Sequence, residues 1–234
     1  MKKIAIIGGG VEGLSNYRYF SSDKNSEITI LDQKPIDETQ FPKAKFVTGP
    51  NYLDDVDKYD LIVRSPGTHL SKIHADAEKI TSNTKEFFAH CPAPIIGVTG
   101  TKGKGTTATL IAKFLEADNK HVHLVGNIGV SALDELPDIK ANHWVVYELS
   151  SFQLMDITQS PHIAVHLMVE QDHLDVHSDM GEYLQAKANI FAFQKEDDVA
   201  VYYEANPDVV KAALQSLALT KIPYDRNSKK EDSV

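Results

Sequence analysis

The eight residues Gly100-Thr101-Lys102-Gly103-Lys104-Gly105-Thr106-Thr107 combine three glycines, two lysines and three threonines. They follow the apolar run 94–98 and lead into a pattern that sets Leu110, Ile111, Phe114 and Leu115 on one helical face. A loop of this composition between strand and helix turns backbone N–H groups inward. It lets Lys104 reach β- and γ-phosphate oxygens and offers a threonine hydroxyl to magnesium. The match to the standard phosphate loop breaks twice. Val98 occupies the first glycine position, and Gly105 stands where a hydroxyl residue follows the lysine, which leaves Thr106 as the nearest hydroxyl. The expected ligand is ATP with Mg2+, gripped by Gly100 through Thr107; a mere surface turn of lysine and glycine fits the strand-loop-helix context poorly.

A second glycine turn lies near the start. Gly8-Gly9-Gly10-Val11-Glu12-Gly13 fits G-x-G-x-x-G behind the apolar run 2–7, and the next apolar run ends at Asp32. Glycines there admit a diphosphate to a helix N-terminus, and the acid can accept hydrogen bonds from a ribose or a base. This alone reads as a dinucleotide fingerprint, equally open to a nicotinamide-dependent oxidoreductase, or as a tight turn without a ligand. Glu12 sets a carboxylate in the very turn that a diphosphate would enter.

The elements that position these turns are short β-branched runs, 2–7, 27–31, 60–63, 94–98, 121–125, 144–149 and 163–169, alternating with longer helical patterns. That alternation predicts an α/β fold with parallel sheets. Pro92 and Pro94 favour an extended linker, so the expected boundary separates residues 1–91, with three strands, from residues 92–234. The tail "DRNSKKEDSV" has no periodicity and reads as a surface loop or as the end of a chain cut before its domain is complete.

A net charge of -9 argues against nucleic acid as a partner, because a phosphate backbone would meet a like-charged surface. No apolar stretch reaches a membrane span, and the opening "MKKIAIIGGGVEG" breaks at glycines before a signal-peptide core develops, so no membrane partner and a cytoplasmic location are expected. Cys91 is the single cysteine, which excludes a disulfide within the chain.

At "ELSSFQL" (148–154) the sequence resembles the Mur ligases, and within that family the branch that adds D-glutamate. "GTKGKGTT" is similar to the family's short phosphate loop, and the likeness continues in "SPG" (65–67), "TKEFF" (84–88), "GNIG" (126–129), "DHLDVH" (172–177) and "YLQAKANIF" (183–191). The resemblance implies a Rossmann-like UDP-binding domain followed by part of a P-loop ATPase-like α/β domain. It implies ATP-dependent amide formation on UDP-N-acetylmuramoyl-L-alanine in peptidoglycan precursor synthesis, with an acyl phosphate displaced by the amine of D-glutamate.

By the same resemblance, Lys104, Glu148, His173 and Lys187 carry the chemistry, Lys187 as a lysine carbamoylated by CO2, and Thr106, Glu148, His173 and Lys187 hold Mg2+. Asn127, Ser150 and Gln153 fall at positions around the muramoyl-alanine end, Val11 and Glu12 at the diphosphate turn, Asp32, Gln33 and Lys34 at the uridine segment, and Gly67 at a further backbone contact. Glu12 and Gln33 depart from the commoner hydroxyl residues, and "MVE" (168–170) replaces the usual N-x-T. Family members also carry a downstream G-x-H-N segment and a third domain that this sequence lacks. The expectation is an incomplete enzyme, inactive by itself; a non-catalytic nucleotide- or UDP-sugar-binding module is the alternative.

Overall fold

The computed structural model describes residues 1–127, 130–170 and 177–225. In chain order the first ninety residues form β1 (Lys2–Ile7), α1 (Val11–Ser21), β2 (Ser26–Asp32), β3 (Lys45–Thr48), β4 (Leu61–Arg64), β5 (Ile80–Ser82) and α2 (Asn83–His90). The remainder forms β6 (Ile95–Thr99), α3 (Lys104–Ala117), β7 (Val122–Gly126), the single turn α4 (Ala132–Glu135) and β8 (Trp144–Glu148). It continues with the single turn α5 (Ser151–Leu154), β9 (Ile163–His166), α6 (Met180–Ala192), β10 (Val199–Tyr203), α7 (Pro207–Leu214) and β11 (Thr220–Tyr224). The chain divides into two compact units: Met1–His90 with Ser131–Pro137, and Cys91–Val130 with the chain from Asp138 onward. A single boundary in the sequence makes no provision for residues 131–137, whose α4 belongs with the first unit.

The first unit is a five-stranded parallel sheet in the order β3-β2-β1-β4-β5. β1 is buried on both faces. Ile4 and Ile6 pack with Tyr17, Ile28, Ile30, Phe41 and Val63, while Ala5 and Ile7 pack on the other side with Leu31, Val56, Tyr59 and Ile62. This is why "KIAII" reads as a continuous apolar run rather than an alternation. Each fully buried isoleucine contributes about 1.5–3 kcal/mol, which fixes the strand end that feeds the Gly8–Gly13 turn. The sequence yields three strands here and the sheet has five. β3 is a mostly exposed edge and β5 only three residues long, so neither has the length or the apolar content that marks a strand.

The second unit is a six-stranded parallel sheet in the order β11-β10-β9-β6-β8-β7. Ile96 and Val98 of β6 pack against Ala108 and Ala112 of α3, with Val146 and Val165 from the flanking strands. The helix therefore turns Ala108, Ile111, Ala112 and Leu115 toward the sheet. Leu110 and Phe114, expected on that face, are 51% and 72% exposed. The small alanines allow close approach, and the i, i+3, i+4, i+7 stripe they begin leaves the 110/114 stripe outside. β10 and β11 also escaped the sequence reading: β10 follows the charged stretch "QKEDD", and β11 is an edge strand carrying Pro223. Among the described residues no helix is long and apolar enough to cross a membrane.

Candidate functional site

Each unit presents a glycine turn at the carboxyl edge of its sheet, where the strand order reverses and open α/β folds place ligands. In the first unit the reversal falls at β1, flanked by β2 and β4. Gly8 has φ +92°, and a Cβ at Gly13 would lie 1.9 Å from the Gly8 carbonyl oxygen, so the turn closes only on glycine. Gly10 caps α1 without a side-chain hydrogen bond, which leaves the first-turn N–H groups directed out of the helix end. Glu12, half-buried in that first turn, complements the helix dipole and opposes an incoming anion.

Asp32 ties the turn to its neighbour strand. Its Oδ2 accepts the Gly9 N–H at 2.8 Å and its Oδ1 the Lys34 N–H at 2.8 Å. A carboxylate has about four acceptor sites, so these two bonds orient Asp32 without saturating it. Gln33 and Lys34 are exposed beside it. Gly67 follows β4 in a loop held by the fully buried Arg64, whose guanidinium donates to the carbonyls of Ser65 (3.3 Å), Pro66 (3.4 Å) and Thr68 (3.2 Å). Arg64 was missed in the sequence, where it is one cation closing an apolar run. A Cβ on Gly8 would come within 3.3 Å of the Ser65 Cβ, so the turn, Asp32 and the 65–67 loop converge on one edge. Val11 is 84% exposed and can offer a ligand only its backbone or its surface.

In the second unit the reversal falls at β6, between β8 and β9. Gly100 has φ +147°, and a Cβ there would stand 2.6 Å from the Leu167 Cβ. Thr101 is fully engaged. Its N–H donates to the Met168 carbonyl at 2.9 Å, and its hydroxyl donates to the Glu170 carbonyl (3.1 Å) while accepting the Glu170 N–H (3.0 Å) and the Tyr183 hydroxyl (2.8 Å). Thr101 therefore anchors the loop to residues 168–170, and the "MVE" departure lies in that anchor. Exposed Lys102 pairs with Glu170 at 2.9 Å. Gly103, at φ +85°, caps α3 with no side-chain bond, which turns the N–H groups of Lys104, Gly105 and Thr106 toward the loop. Thr106 is exposed. Thr107 lines a cavity of about 220 Å3 together with Lys102, Gly103, Leu167, Tyr203 and Tyr224.

Two lysines meet over one carbonyl. Lys104 Nζ donates to the carbonyls of Gly100 and Thr101, each at 3.1 Å, and Lys187 Nζ, from α6, donates to Gly100 at 2.9 Å. Lys187 is buried, with Nζ 4.8 Å from the centre of the Tyr183 ring. Glu148, closing β8, is 6% exposed, and its Oε2 is buried without a hydrogen bond among the described residues. Burial holds its carboxyl above the usual range, and the Lys104 charge opposes that rise. The structure thus gathers Lys104, Lys187 and Glu148 of the predicted residues. His173 lies outside the described residues.

The remaining predicted residues frame Glu148. Gly126, at φ +118°, approaches so closely that a Cβ would fall 2.3 Å from the Glu148 carbonyl oxygen, and the Asn127 N–H faces that oxygen at 3.5 Å. Ser150 and Gln153 bond to each other in a capping box: Ser150 Oγ accepts the Gln153 N–H (3.2 Å), and Gln153 Oε1 accepts the Ser150 N–H (3.0 Å). The S-x-x-Q spacing carried that signal in the sequence. His166, missed there, is fully buried at the end of β9. Its Nδ1–H donates to the Leu167 carbonyl at 2.8 Å, and desolvation, with a smaller contribution from Lys187, lowers its pKa to about 3. It is a neutral hydrogen-bond donor, not a proton carrier. A buried carboxylate oxygen of Glu148 with no partner among the described residues suits a hard divalent cation, and Thr106 carries an exposed hydroxyl in the first turn of α3.

A family model described as the Mur ligase middle domain matches residues 98–234. The UDP-N-acetylmuramoylalanine--D-glutamate ligase of Clostridium tetani is 38% identical over 217 residues, 88% of this chain and 47% of the relative. That of Clostridium acetobutylicum is 35% identical over 242 residues, 97% of this chain and 52% of the relative. The chain thus spans about half the length of the curated relatives it matches. Among solved structures, the UDP-N-acetylmuramate:L-alanyl-gamma-D-glutamyl-meso-diaminopimelate ligase from Neisseria meningitides superposes with a TM-score of 0.59 at 20% identity, over 96% of this chain and 78% of that one. A MurF ligase from Thermotoga maritima in complex with ADP does so with a TM-score of 0.51 at 17% identity, over 97% of this chain and 48% of that one. At these identities the likeness is one of fold.

Proposed function

The chain belongs to the Mur ligase family, and from that premise we propose that it supplies the UDP-substrate turn and the ATP-phosphate loop of a ligase that joins D-glutamate to UDP-N-acetylmuramoyl-L-alanine. The observation that carries the proposal is the convergence of Lys104 and Lys187 on the Gly100 carbonyl, beside a buried Glu148 oxygen with no hydrogen bond among the described residues. The half-buried Lys104 ammonium over a glycine loop fits a polyphosphate, which would draw it off the loop carbonyls and onto its own oxygens.

In the proposed reaction the alanyl carboxylate of the UDP-linked substrate attacks the γ-phosphorus of ATP, and ADP leaves. The D-glutamate amine then attacks the acyl carbon, phosphate leaves, and the amine loses a proton as the amide forms. Two anions must approach one another in the first step, so positive charge has to screen them. Lys104 and the N–H groups at the start of α3 provide it. Glu148 would hold Mg2+, with Thr106, His173 and a carbamoylated Lys187 as further ligands, and the bound ion would supply charge neutralisation at the phosphates. Lys187 joins that set only after CO2 converts its amine to an acid, since an ammonium repels a cation. Asn127, Ser150 and Gln153 are assigned to the muramoyl-alanine end, and Val11, Glu12, Asp32, Gln33, Lys34 and Gly67 to the UDP end. Residues 1–91 serve as the UDP-substrate domain and residues 92–234 as part of the ATP-binding domain, in the cytoplasm.

Calorimetric titration of UDP-N-acetylmuramoyl-L-alanine, ATP with Mg2+, and NAD into the chain tests the reading. Binding of the first two and not of NAD is expected. Binding of NAD with no response to ATP would replace the ligase reading by an oxidoreductase one.

A further inference from the structure

We propose that His121, His123 and His143 form a binding site for a borderline divalent transition metal of the zinc class. The sheet brings them together. His121 and His123 are two residues apart at the start of β7, so their side chains leave the same face of the strand. β7 pairs with β8 in the register Val122↔Trp144, and the Trp144 N–H donates to the His121 carbonyl at 2.8 Å, which sets His143 beside His121.

The three rings pack on one another. The centroids of His121 and His143 are 4.0 Å apart, and those of His123 lie 5.1 Å from each of the other two. One ring nitrogen from each residue lies within 4.8 Å of the others. Zinc–nitrogen bonds of about 2.0–2.1 Å in a tetrahedron require separations of roughly 3.3 Å, so the nitrogens must draw in by about 1–1.5 Å. His123 Nε2 and His143 Nδ1 are already at 2.9 Å, and His121, the exposed member, is free to supply most of the movement by side-chain rotation.

The Lys140 N–H points at His143 Nδ1 at 3.3 Å, and a backbone N–H can only donate, so this nitrogen is the acceptor and the proton between the two rings belongs to His123 Nε2; a metal bound there would displace that proton and take its place between the rings. Three imidazole nitrogens with one exposed side select Zn2+, Ni2+, Co2+ or Cu2+ over Mg2+, which prefers oxygen, and they leave a coordination position open to water.

The site lies at the amino-terminal ends of β7 and β8. It is one strand length, about 16 Å for five residues, from the carboxyl edge that carries Gly126 and Glu148, so it is separate from the phosphate loop. A metal there would clamp edge strand β7 to β8.

The test is calorimetric titration of Zn2+ into the chain, with Mg2+ in excess to occupy oxygen sites, for the wild type, His121→Ala and His143→Asn, alongside melting curves with and without Zn2+. The expected result is uptake of a single Zn2+ by the wild type with a rise in Tm, and affinity weakened about tenfold or more in His121→Ala, whose exposed side chain the apo fold does not need. His143→Asn should behave the same way; if it does not fold, His121→Ala decides alone. No uptake by the folded wild type, or equal affinity and equal Tm shift in wild type and His121→Ala, would overturn the proposal.

Discussion

The two glycine turns share one architecture, a buried parallel strand, a glycine at positive φ and a helix whose first-turn N–H groups face outward, and yet they are built for different charges. At Gly8–Gly13 the side chains close at hand are acidic: Glu12 sits in the helix's first turn, and Asp32 accepts from Gly9 and Lys34. Of the nearby cations, Arg64 is turned onto the carbonyls of the 65–68 loop and Lys34 is exposed to solvent. At Gly100–Thr107 two lysines crowd a single carbonyl. Backbone geometry admits a phosphate to either turn, and side-chain charge decides how much negative charge each can hold. A diphosphate joined to a neutral sugar and a base suits the first, and a triphosphate the second.

Acid should separate the two units most strongly. The folded-state pKa of His166 is about 3 against an ordinary 6.5, so the unfolded chain binds a proton that the folded chain refuses. The stability associated with a neutral His166 is therefore complete above about pH 6.5 and is lost as pH falls toward 3, at about 1.4 kcal/mol per pH unit. Denaturant midpoints measured across that window should fall steeply in the wild type and more shallowly in His166→Gln. Identical slopes would mean that His166 is not held neutral.

Next in size is Lys104→Ala. Loss of a charge-assisted contact to phosphate should weaken ATP binding by about 1.5–3 kcal/mol, roughly tenfold to more than a hundredfold, and leave UDP-N-acetylmuramoyl-L-alanine affinity unchanged. Equal losses for both ligands in calorimetry would erase the distinction between the turns. Asp32→Ala is the mirror experiment, with an expected cost of about 1–3 kcal/mol in UDP-sugar affinity and none in ATP affinity. Unchanged UDP-sugar binding would confine Asp32 to holding the Gly9 and Lys34 N–H groups.

The smallest effect expected is a gain. Burial raises the Glu148 pKa, so its neutral form is favoured in the fold; stability is greatest below its ordinary range and declines as pH rises through the folded value. Glu148→Gln removes that charge and should raise the Tm of the ligand-free chain at neutral pH by a few degrees, the equivalent of about 1 kcal/mol. A lower Tm would show that the carboxylate is already compensated.

The parts of this comparison legible in the sequence were those that a local pattern encodes. The phosphate loop, the glycine fingerprint, Asp32 and the strand-end Glu148 are each marked by their immediate neighbours. Pairings across long separations were not: nothing near Thr101 announces Tyr183, and nothing near Gly100 announces Lys187, because such contacts exist only once β6, β9 and α6 have packed. The facing of α3 does not follow from side-chain size, because the small Ala108 and Ala112, rather than Leu110 and Phe114, are what the sheet accepts. Edge strands β3 and β11 hid because an edge position removes the demand for apolar residues on both faces. The H-x-H of β7 and the S-x-x-Q of α5 were readable by spacing, the former only as half of its cluster.

The central claim is that one chain holds two different nucleotides at two turns at the same time. Equilibrium dialysis with UDP-N-acetylmuramoyl-L-alanine and ATP together, both saturating and with Mg2+ present, measures this directly by counting each ligand bound per chain. The account predicts one of each, with neither reducing occupancy by the other. A total of one nucleotide per chain, with each ligand displacing the other, would contradict it.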